Sequence, residues 1–287
     1  MSRSLLAEPL GPRSSDLFHG LNQRLPHFPL RAAVATFHDL FVLTGEYSTP
    51  EFRERFAAQA RQAAAGSQAI ITVSTFTKSQ VVNLLGVDPA RVHVVHHGSR
   101  KLVYPKGLAR ENIILNVGAI QKRKNVGRLV EAFETVDSSW RLVLAGSAGF
   151  GSEEILTRIE NSPARDRIRV LGYIAPGELA GWYARASVFA FPSLDEGFGM
   201  PLLEAMSAGT PALASNSSAM PEVAGDAALL VNPEDVVGLA QALRDLTQKR
   251  ALREELSIRG LQRASLFTWE NAVCQTWAVY RKTLGLE

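Results

Sequence analysis

Several features that define common protein classes are scarce or missing in this sequence. Cysteine occurs once among 287 residues, at position 274, which excludes an internal disulfide framework. Apolar runs such as Ala69–Val73 and Val188–Phe191 are far too short to cross a bilayer. Residues 1–15 contain no apolar segment of the kind found in a secretory signal. These absences predict a cytoplasmic protein.

Charged residues are nearly balanced over the whole chain but unevenly distributed along it. The sequence has 31 Lys and Arg against 28 Asp and Glu, a formal net charge of +3. Residues 1–107 contain 12 basic and 7 acidic side chains and all six histidines. This excess fits either an arginine-rich solvated surface or peripheral contact with the inner face of a membrane. No run of Lys and Arg interleaved with aromatics is present, so we expect no nucleic-acid partner.

Short β-branched runs alternate with amphipathic stretches along the chain, which is the pattern of βα units on a parallel sheet. The first series predicts strands over 33–37, 69–73 and 92–95, and helices over 49–65 and 74–85. The second series predicts strands over 113–117, 140–145, 168–171, 188–191 and 211–214, and helices over 126–135, 152–160, 177–186 and 200–208. Three closing helices follow over 234–247, 250–264 and 269–284. Residues 98–111 lack periodicity and are interpreted as a linker.

The two series differ in completeness. The second contains enough strands and helices for a full doubly wound domain, whereas the first does not. We therefore predict a two-domain α/β protein. Residues 1–107 form a partial N-terminal Rossmann-like domain with its linker, and residues 108–287 form a C-terminal Rossmann-like domain that includes the closing helices.

The segment from Asp195 to Glu204 carries the strongest functional signal. A strand ends just before it, and a helix opens at its end, so Gly197 and Gly199 allow the backbone to approach a ligand at a helix N-terminus. Such a place suits an anion, above all a phosphate. Glu196 and Glu204 border the same place and can accept hydrogen bonds from a sugar diol. Taken alone, the segment fits a glycine turn followed by a solvated glutamate equally well.

A second signal lies in residues 118–125, where a strand ends at Gly118 and a basic loop precedes a helix. Arg123 offers a planar fork to phosphate oxygens and Lys124 offers a point charge. Both would project from the carboxyl ends of the strands, where open α/β sheets bind ligands. A basic turn alone is more often plain surface, but its pairing with the glutamate loop in one sheet favours a site.

Residues 118–125, 172–186 and 196–204 together resemble glycosyltransferase family 4, whose members are retaining, nucleotide-sugar-dependent enzymes of the GT-B fold. The spacing Glu–x7–Glu between Glu196 and Glu204 is the signature of that family, and residues 221–231 resemble the stretch that follows it. The resemblance runs from about Asp16 to the C-terminus. It implies two Rossmann-like domains facing a cleft, with the opening βα units of the N-terminal domain missing.

The resemblance also implies a role for each matching residue. Arg123 and Lys124 would bind the donor diphosphate and stabilise the leaving group, Glu204 would hold the ribose diol, and Glu196 would contact the transferred sugar. The remaining donor-binding positions are Gly118, the main chain at Tyr173 and Ile174 beside the base, and the backbone of Gly197, Phe198 and Gly199. In the first domain, His38 would face the sugar. The implied catalytic set is His38, Glu196, Arg123 and Lys124.

Features typical of metal-dependent transferases are missing. The sequence contains no Asp-x-Asp pair, and the strand period places His96 on the opposite face from His93 and His97. We therefore expect no metal and no cofactor.

The expected function is that of a retaining, metal-independent hexosyltransferase. It would use a nucleotide-sugar donor and the hydroxyl of a glycan, lipid-linked or polysaccharide precursor as acceptor. The alternative is a non-catalytic or truncated nucleotide-sugar-binding protein or subunit. An oligomer that covers the incomplete domain is a further open interpretation.

Overall fold

The structure is a computed structural model that describes residues 15–99 and 107–286. The strands are β1 (Phe18–Gly20), β2 (Ala33–Phe37), β3 (Ala69–Thr72), β4 (Val92–Val94), β5 (Glu111–Val117), β6 (Arg141–Ala145), β7 (Ile168–Gly172), β8 (Ala186–Phe191), β9 (Ala212–Ser215) and β10 (Ala228–Val231). The helices are α1 (Phe41–Thr44), α2 (Pro50–Gly66), α3 (Thr75–Leu85), α4 (Val126–Phe133), α5 (Ser152–Glu160), α6 (Pro176–Arg185), α7 (Met200–Ser207), α8 (Met220–Ala224), α9 (Val236–Gln248), α10 (Arg250–Ala264) and α11 (Trp269–Leu284). None of the helices in these ranges is long and apolar enough to span a bilayer.

The chain divides into two compact units. The first unit contains the described residues up to His97 together with the segment from Trp269 onward, and the second contains Gly98–Thr268. This division differs from the predicted boundary at 107/108, because α11 belongs to the first unit and not to the second. The predicted linker at 98–111 falls partly outside the described residues, and its last residue, Glu111, already begins β5.

The first unit has a four-stranded parallel sheet in the order β1-β2-β3-β4. Neighbouring residues of a strand face opposite sides of the sheet, so β2 and β3 each contribute to two apolar layers. One layer packs against α2 and α3, with Ile70 beside Ala60 and Val81. The other layer packs against α11, where Ile71 belongs to the same cluster as Val279. The last helix of the chain therefore completes the core of the first unit.

Local sequence signals explain where the helices of the first unit begin and end. Thr49 caps α2 by accepting a hydrogen bond from the Phe52 amide, and Pro50 occupies the first turn, where no amide donor is lost. Ser74 caps α3 in the same way through the Thr77 amide. Gly86 ends α3 in the left-handed conformation, at φ 65°, that glycine adopts most easily.

The second unit has a six-stranded parallel sheet in the order β10-β9-β8-β5-β6-β7. This is the strand order of a doubly wound dinucleotide-type fold, with the chain starting in the middle and moving first to one edge and then to the other. Helices α4 and α9 pack on the sheet through buried side chains such as Leu129, Phe133 and Leu243. The second unit is therefore a complete Rossmann-like domain, as its sequence pattern predicts.

The predicted elements agree with the observed ones to within two residues at each end. Strand β2 and helices α5, α10 and α11 match their predicted bounds. The short helices α1 and α8 were not predicted, because four or five residues are too few to show a helical period.

Candidate functional site

The site is built where the strand order of the second unit reverses. Strands β5 and β8 lie side by side, but the chain leaves β5 toward β6 and leaves β8 toward β9. Their connections diverge and leave a crevice at the carboxyl ends of the two strands. The loops that follow β5 and β8 carry the two motifs singled out in the sequence. The fold therefore brings together two segments that lie about 70 residues apart along the chain.

The loop after β5 is fixed by hydrogen bonds before it reaches α4. Residues Lys122–Lys124 form a single 3-10 turn, and Asn125 follows with a left-handed φ of 58°. The Asn125 side-chain amide donates to the carbonyls of Pro192 and Pro233, at 3.0 and 2.7 Å. These bonds tie the loops that follow β5, β8 and β10 to each other, so the basic turn has a defined place in the crevice.

Glu196, from the loop after β8, lies between the two predicted phosphate-binding cations. One carboxylate oxygen pairs with an Arg123 guanidinium nitrogen at 3.1 Å, and the other accepts a short hydrogen bond from the Lys124 ammonium. All three residues are buried, with exposed fractions of 8, 8 and 7% for Arg123, Lys124 and Glu196. We call these three residues the charge cluster. The sequence did not predict that these three would pair with each other.

The electrostatics of the charge cluster favour an ionised Glu196. Burial alone would raise the pKa of its carboxyl group, but the neighbouring charges of Lys124 and Arg123 outweigh burial and hold the pKa below its ordinary value. Lys124 also lies over the ring of Phe191, with its nitrogen 4.7 Å from the ring centroid. Two cations with one carboxylate leave a net positive charge in a buried place, which suits a further anion.

Helix α7 begins directly beside the charge cluster. Its N-cap residue is Gly199 at φ 94°, and a β-carbon at that position would lie 2.3 Å from the terminal methyl carbon of Met220. Gly197 and Phe198 are also buried. The backbone conformation favours glycine at position 199, and a β-carbon there would also require the end of the Met220 side chain to move. Pro201 in the first turn of α7 has no amide hydrogen, and the Leu202 and Leu203 amides donate to the Gly199 carbonyl.

Glu204 lies in the second turn of α7 and is 5% exposed. It accepts a hydrogen bond of 3.0 Å from the hydroxyl group of Tyr183 on α6. This bond orients the carboxylate and leaves it lone pairs for further donors, since an ionised carboxylate accepts at about four positions. The two glutamates of the Glu–x7–Glu pattern thus have different surroundings: Glu196 is held by cations and Glu204 by a phenol.

Three predicted positions lie in or near the crevice region without joining the charge cluster. Gly118 ends β5 at φ 144°, and a β-carbon there would lie 3.2 Å from the Lys124 side chain. Tyr173 and Ile174 follow β7, at the edge of the sheet and two strands away from β5. Tyr173 is 79% exposed, and the contact of its main chain with a base stays a prediction.

His38 belongs to the first unit, just beyond β2. Its Nε2 lies 2.8 Å from the carbonyl oxygen of Leu21, and its Nδ1 lies 3.1 Å from Nε2 of His97. Both ring nitrogens therefore have partners within the first unit. The role of His38 at the transferred sugar stays a prediction.

Two residues that shape the site were not identified as such from the sequence. Asn125 had a signal, since asparagine is the residue after glycine that most readily takes a left-handed conformation. Ser218, also left-handed at φ 55°, accepts a 3.2 Å hydrogen bond from the Glu196 amide and so fixes the glutamate loop. Nothing in the local sequence distinguishes Ser218 from its neighbour Ser217.

Two family models match this chain and together cover most of it. The model described as glycosyl transferases group 1 matches residues 105–263, and the model described as Glycosyltransferase Family 4 matches residues 15–99. The chain belongs to the group 1 glycosyl transferases. The family resemblance stated from the motifs is thereby confirmed.

Curated relatives of this group 1 glycosyl transferase include two named mannosyltransferases. The O-antigen chain mannosyltransferase B of Escherichia coli is 32% identical over 282 residues, which is 92% of this chain and 74% of the relative. The MMP alpha-(1->4)-mannosyltransferase of Mycolicibacterium hassiacum is 34% identical over 250 residues, 83% of this chain and 58% of the relative. The chain thus spans only part of the length of these relatives.

Solved structures confirm the predicted GT-B class for this group 1 glycosyl transferase. A sucrose-phosphate synthase from Thermosynechococcus elongatus matches with a TM-score of 0.78 and 25% identity, over 91% of this chain and 70% of that one. Anabaena HepE in complex with UDP-glucose matches with a TM-score of 0.74 and 18% identity, over 88% of this chain and 72% of that one.

Proposed function

We propose that this chain is a retaining glycosyltransferase that moves a hexosyl group from a nucleoside diphosphate sugar to an acceptor hydroxyl without a metal ion. The charge cluster carries the proposal. Two buried cations at the topological switch point form a place for the donor diphosphate, where a doubly wound sheet binds nucleotides. The N-terminus of α7, beside the charge cluster, adds the positive end of its helix dipole for the same anion.

In the proposed reaction, the bond between the anomeric carbon of the sugar and the diphosphate oxygen breaks, and the leaving diphosphate gains negative charge. Arg123 and Lys124 stabilise that charge because they are already fixed in position by Glu196 and the Asn125 bridge. The acceptor oxygen forms the new bond to the anomeric carbon on the face that the diphosphate leaves. The acceptor proton passes to the leaving phosphate oxygen. The configuration is retained because the new bond forms on the face from which the diphosphate departs. No glutamate nucleophile is required.

Metal independence is part of the proposal because two buried cationic side chains can supply the positive charge that a diphosphate would otherwise take from a metal ion. The sequence contains no Asp-x-Asp pair, and among the described residues no three His, Cys, Asp or Glu side chains are grouped to hold a metal ion. The buried Lys124 and Arg123 take over the charge neutralisation that such an ion supplies.

A mannosyl donor is the first candidate for the sugar. Two of the relatives described above carry the name mannosyltransferase, and each is at least 32% identical to this chain.

The nucleotide and the sugar of the donor are best identified by thermal shift with uridine and guanosine diphosphate sugars, because a ligand that binds the folded state raises its melting temperature. Release of nucleoside diphosphate in the presence of saccharide acceptors then tests transfer, and the anomeric configuration of the product tests retention. Donor binding without transfer or hydrolysis would favour the alternative of a non-catalytic donor-binding protein.

Donor binding is expected to survive removal of divalent metal. With excess chelator present, the dissociation constant of the nucleoside diphosphate should change by less than about twofold, since the charge cluster and not a metal neutralises the phosphates. Isothermal titration with and without chelator, and with added magnesium or manganese as the comparison, measures this. A strict requirement for either metal would contradict metal independence.

Replacing Glu204 is expected to weaken the free nucleotide and the whole donor equally. Glu204→Gln removes the charge that would accept from the ribose diol, and each charge-assisted bond lost costs about 1.5–3 kcal/mol, or roughly 10- to 150-fold in affinity. Titration of nucleoside diphosphate and of nucleotide sugar gives the two losses. Glu178→Gln, at an exposed position in the first turn of α6, is the matched control and should change neither affinity. A loss of affinity confined to the nucleotide sugar would show that Glu204 contacts the transferred sugar and not the ribose.

A further inference from the structure

The first unit contains a cavity of about 530 Å³ between the carboxyl ends of its strands and α11. Apolar side chains such as Ile71 and Val95 form much of its lining, and Trp269 and Trp277 of α11 form one wall. His38 and His97 line the same cavity. Which ring nitrogens of these two histidines act as hydrogen-bond donors in the cavity depends on which nitrogen of each ring carries the proton.

The partner of Nε2 fixes one proton of His38. The oxygen of a backbone carbonyl can only accept, so the 2.8 Å contact with Leu21 requires a proton on Nε2 of His38. In the neutral form of His38, which carries one proton, Nδ1 is then an acceptor. The group within reach of Nδ1 is Nε2 of His97, at 3.1 Å, and this nitrogen must therefore donate.

The relative orientation of the two rings supports this hydrogen bond. The ring planes are 19° apart and the centroids are 5.2 Å apart, whereas the two bonded nitrogens are only 3.1 Å apart. Because the nitrogens are so much closer than the ring centres, the rings meet edge to edge with the bond near both planes. The ring of Trp269 lies 5.5 Å from that of His97 and helps to hold its orientation.

We propose that His97 is a positioning residue that donates to Nδ1 of His38 and holds His38 as the Nε2–H tautomer. His38 then presents an N–H donor, now used by the Leu21 carbonyl, which an oxygen of a bound sugar can take over. Leu21 follows the last residue of β1 and its side chain is 72% exposed, so little packing opposes its displacement. The part of this inference that concerns the sugar rests on the proposed function.

The surroundings of His97 keep it neutral, as a donor to His38 must be at neutral pH. Burial is the largest cause, and repulsion from His38 and His96 when those rings are protonated adds to it, so the pKa of His97 is lowered to about 4. A neutral His97 with its proton on Nε2 satisfies the geometry described above.

The test compares two substitutions of His97 by nitrogen-15 NMR of histidine-labelled full chain. In His97→Gln the side-chain amide places a donor near the position of the lost Nε2–H, whereas His97→Leu has no donor. We expect the wild type and His97→Gln to show a protonated Nε2 and a bare Nδ1 at His38. In His97→Leu the Leu21 carbonyl still favours the Nε2–H form but acts without His97, so we expect a measurable fraction of the Nδ1–H tautomer beside it. The His38 signals are assigned by their loss in His38→Gln, and His93→Leu, on β4, is the control that should leave them unchanged.

The readouts separate the inference from the proposed function. An unchanged Nε2–H tautomer in folded His97→Leu would overturn the inference. If His38 acts on the sugar, His97→Leu should also lower transfer by about two- to tenfold, the value of one neutral hydrogen bond, and His97→Gln should restore it. A tautomer change without any change in transfer would support the inference and remove His38 from the proposed reaction.

Discussion

Replacement of Arg123 and Lys124 together by alanine should raise the dissociation constant of a nucleoside diphosphate at least about a hundredfold. Each lost charge-assisted contact costs about 1.5–3 kcal/mol, and both cations of the charge cluster are removed. The same change leaves Glu196 buried without the two charges that keep it ionised. We therefore expect the free energy of unfolding to fall by about 3–5 kcal/mol. Isothermal titration and denaturant unfolding measure the two effects.

A triple variant separates binding from stability in this experiment. Adding Glu196→Gln to Arg123→Ala and Lys124→Ala removes the unpaired carboxylate, because a neutral amide of similar size takes its place. The triple variant should regain much of the lost stability and should still not bind the nucleotide. Nucleotide affinity close to that of the wild type in the double or triple variant would show that the diphosphate binds elsewhere.

Substitution of Gly146 by alanine should have the largest effect among single glycine changes in the second unit. Gly146 follows β6 at φ 157°, and a β-carbon there would lie 1.9 Å from the carbonyl oxygen of Gly118. That contact involves backbone on both sides, so no side-chain rotation relieves it. The strained backbone alone costs about 1–3 kcal/mol, and the clash adds to it. Displacing Gly118 also moves the strand end beside Lys124, so nucleotide affinity should fall about tenfold.

Gly181→Ala is the matched control for that substitution. Gly181 lies inside α6 and has nothing within 4 Å of the position of an added β-carbon. Alanine is the better helix former, so this change should stabilise the protein by about 0.5–1 kcal/mol. Chemical denaturation of both variants tests the pair. If Gly146→Ala were as stable as Gly181→Ala, the close approach of Gly146 to Gly118 would not exist in solution.

The positions of the strands and helices were predictable because their signals are local. Thr49 followed by Pro50, and Gly86 after an apolar stretch, mark helix ends by backbone chemistry that does not depend on the rest of the fold. The alternation of buried strands with amphipathic helices also indicated a parallel sheet. The unit to which α11 belongs was harder to predict from the sequence. An amphipathic pattern shows that one face of a helix is apolar but does not identify the sheet that this face covers.

The residues of the candidate site were predictable as a set, but their pairing was not. Glycines, cations and glutamates next to strand ends indicate a ligand site wherever the strands lie. The contact of Glu196 with both Arg123 and Lys124 depends on β5 and β8 being neighbours, and strand order is a property of the whole sheet. The family resemblance implies a phosphate as the partner of the cations and the sugar as the partner of Glu196. In the fold these three buried charges contact each other.

The place of α11 in the first unit bears on how the protein can be divided into fragments. Residues 98–268 are a single uninterrupted stretch, whereas the first unit consists of two stretches that lie on either side of it. A cut at 107/108 would take α11 away with the second unit and would uncover the sheet face that Ala272 and Val279 help to bury. A fragment that ends at Thr268 avoids this, and the first unit requires a short connection in place of residues 98–268. Along the sequence, the second unit is thus an insertion within the first. Fragments for expression should therefore begin and end at the boundaries of that insertion, at residues 98 and 268.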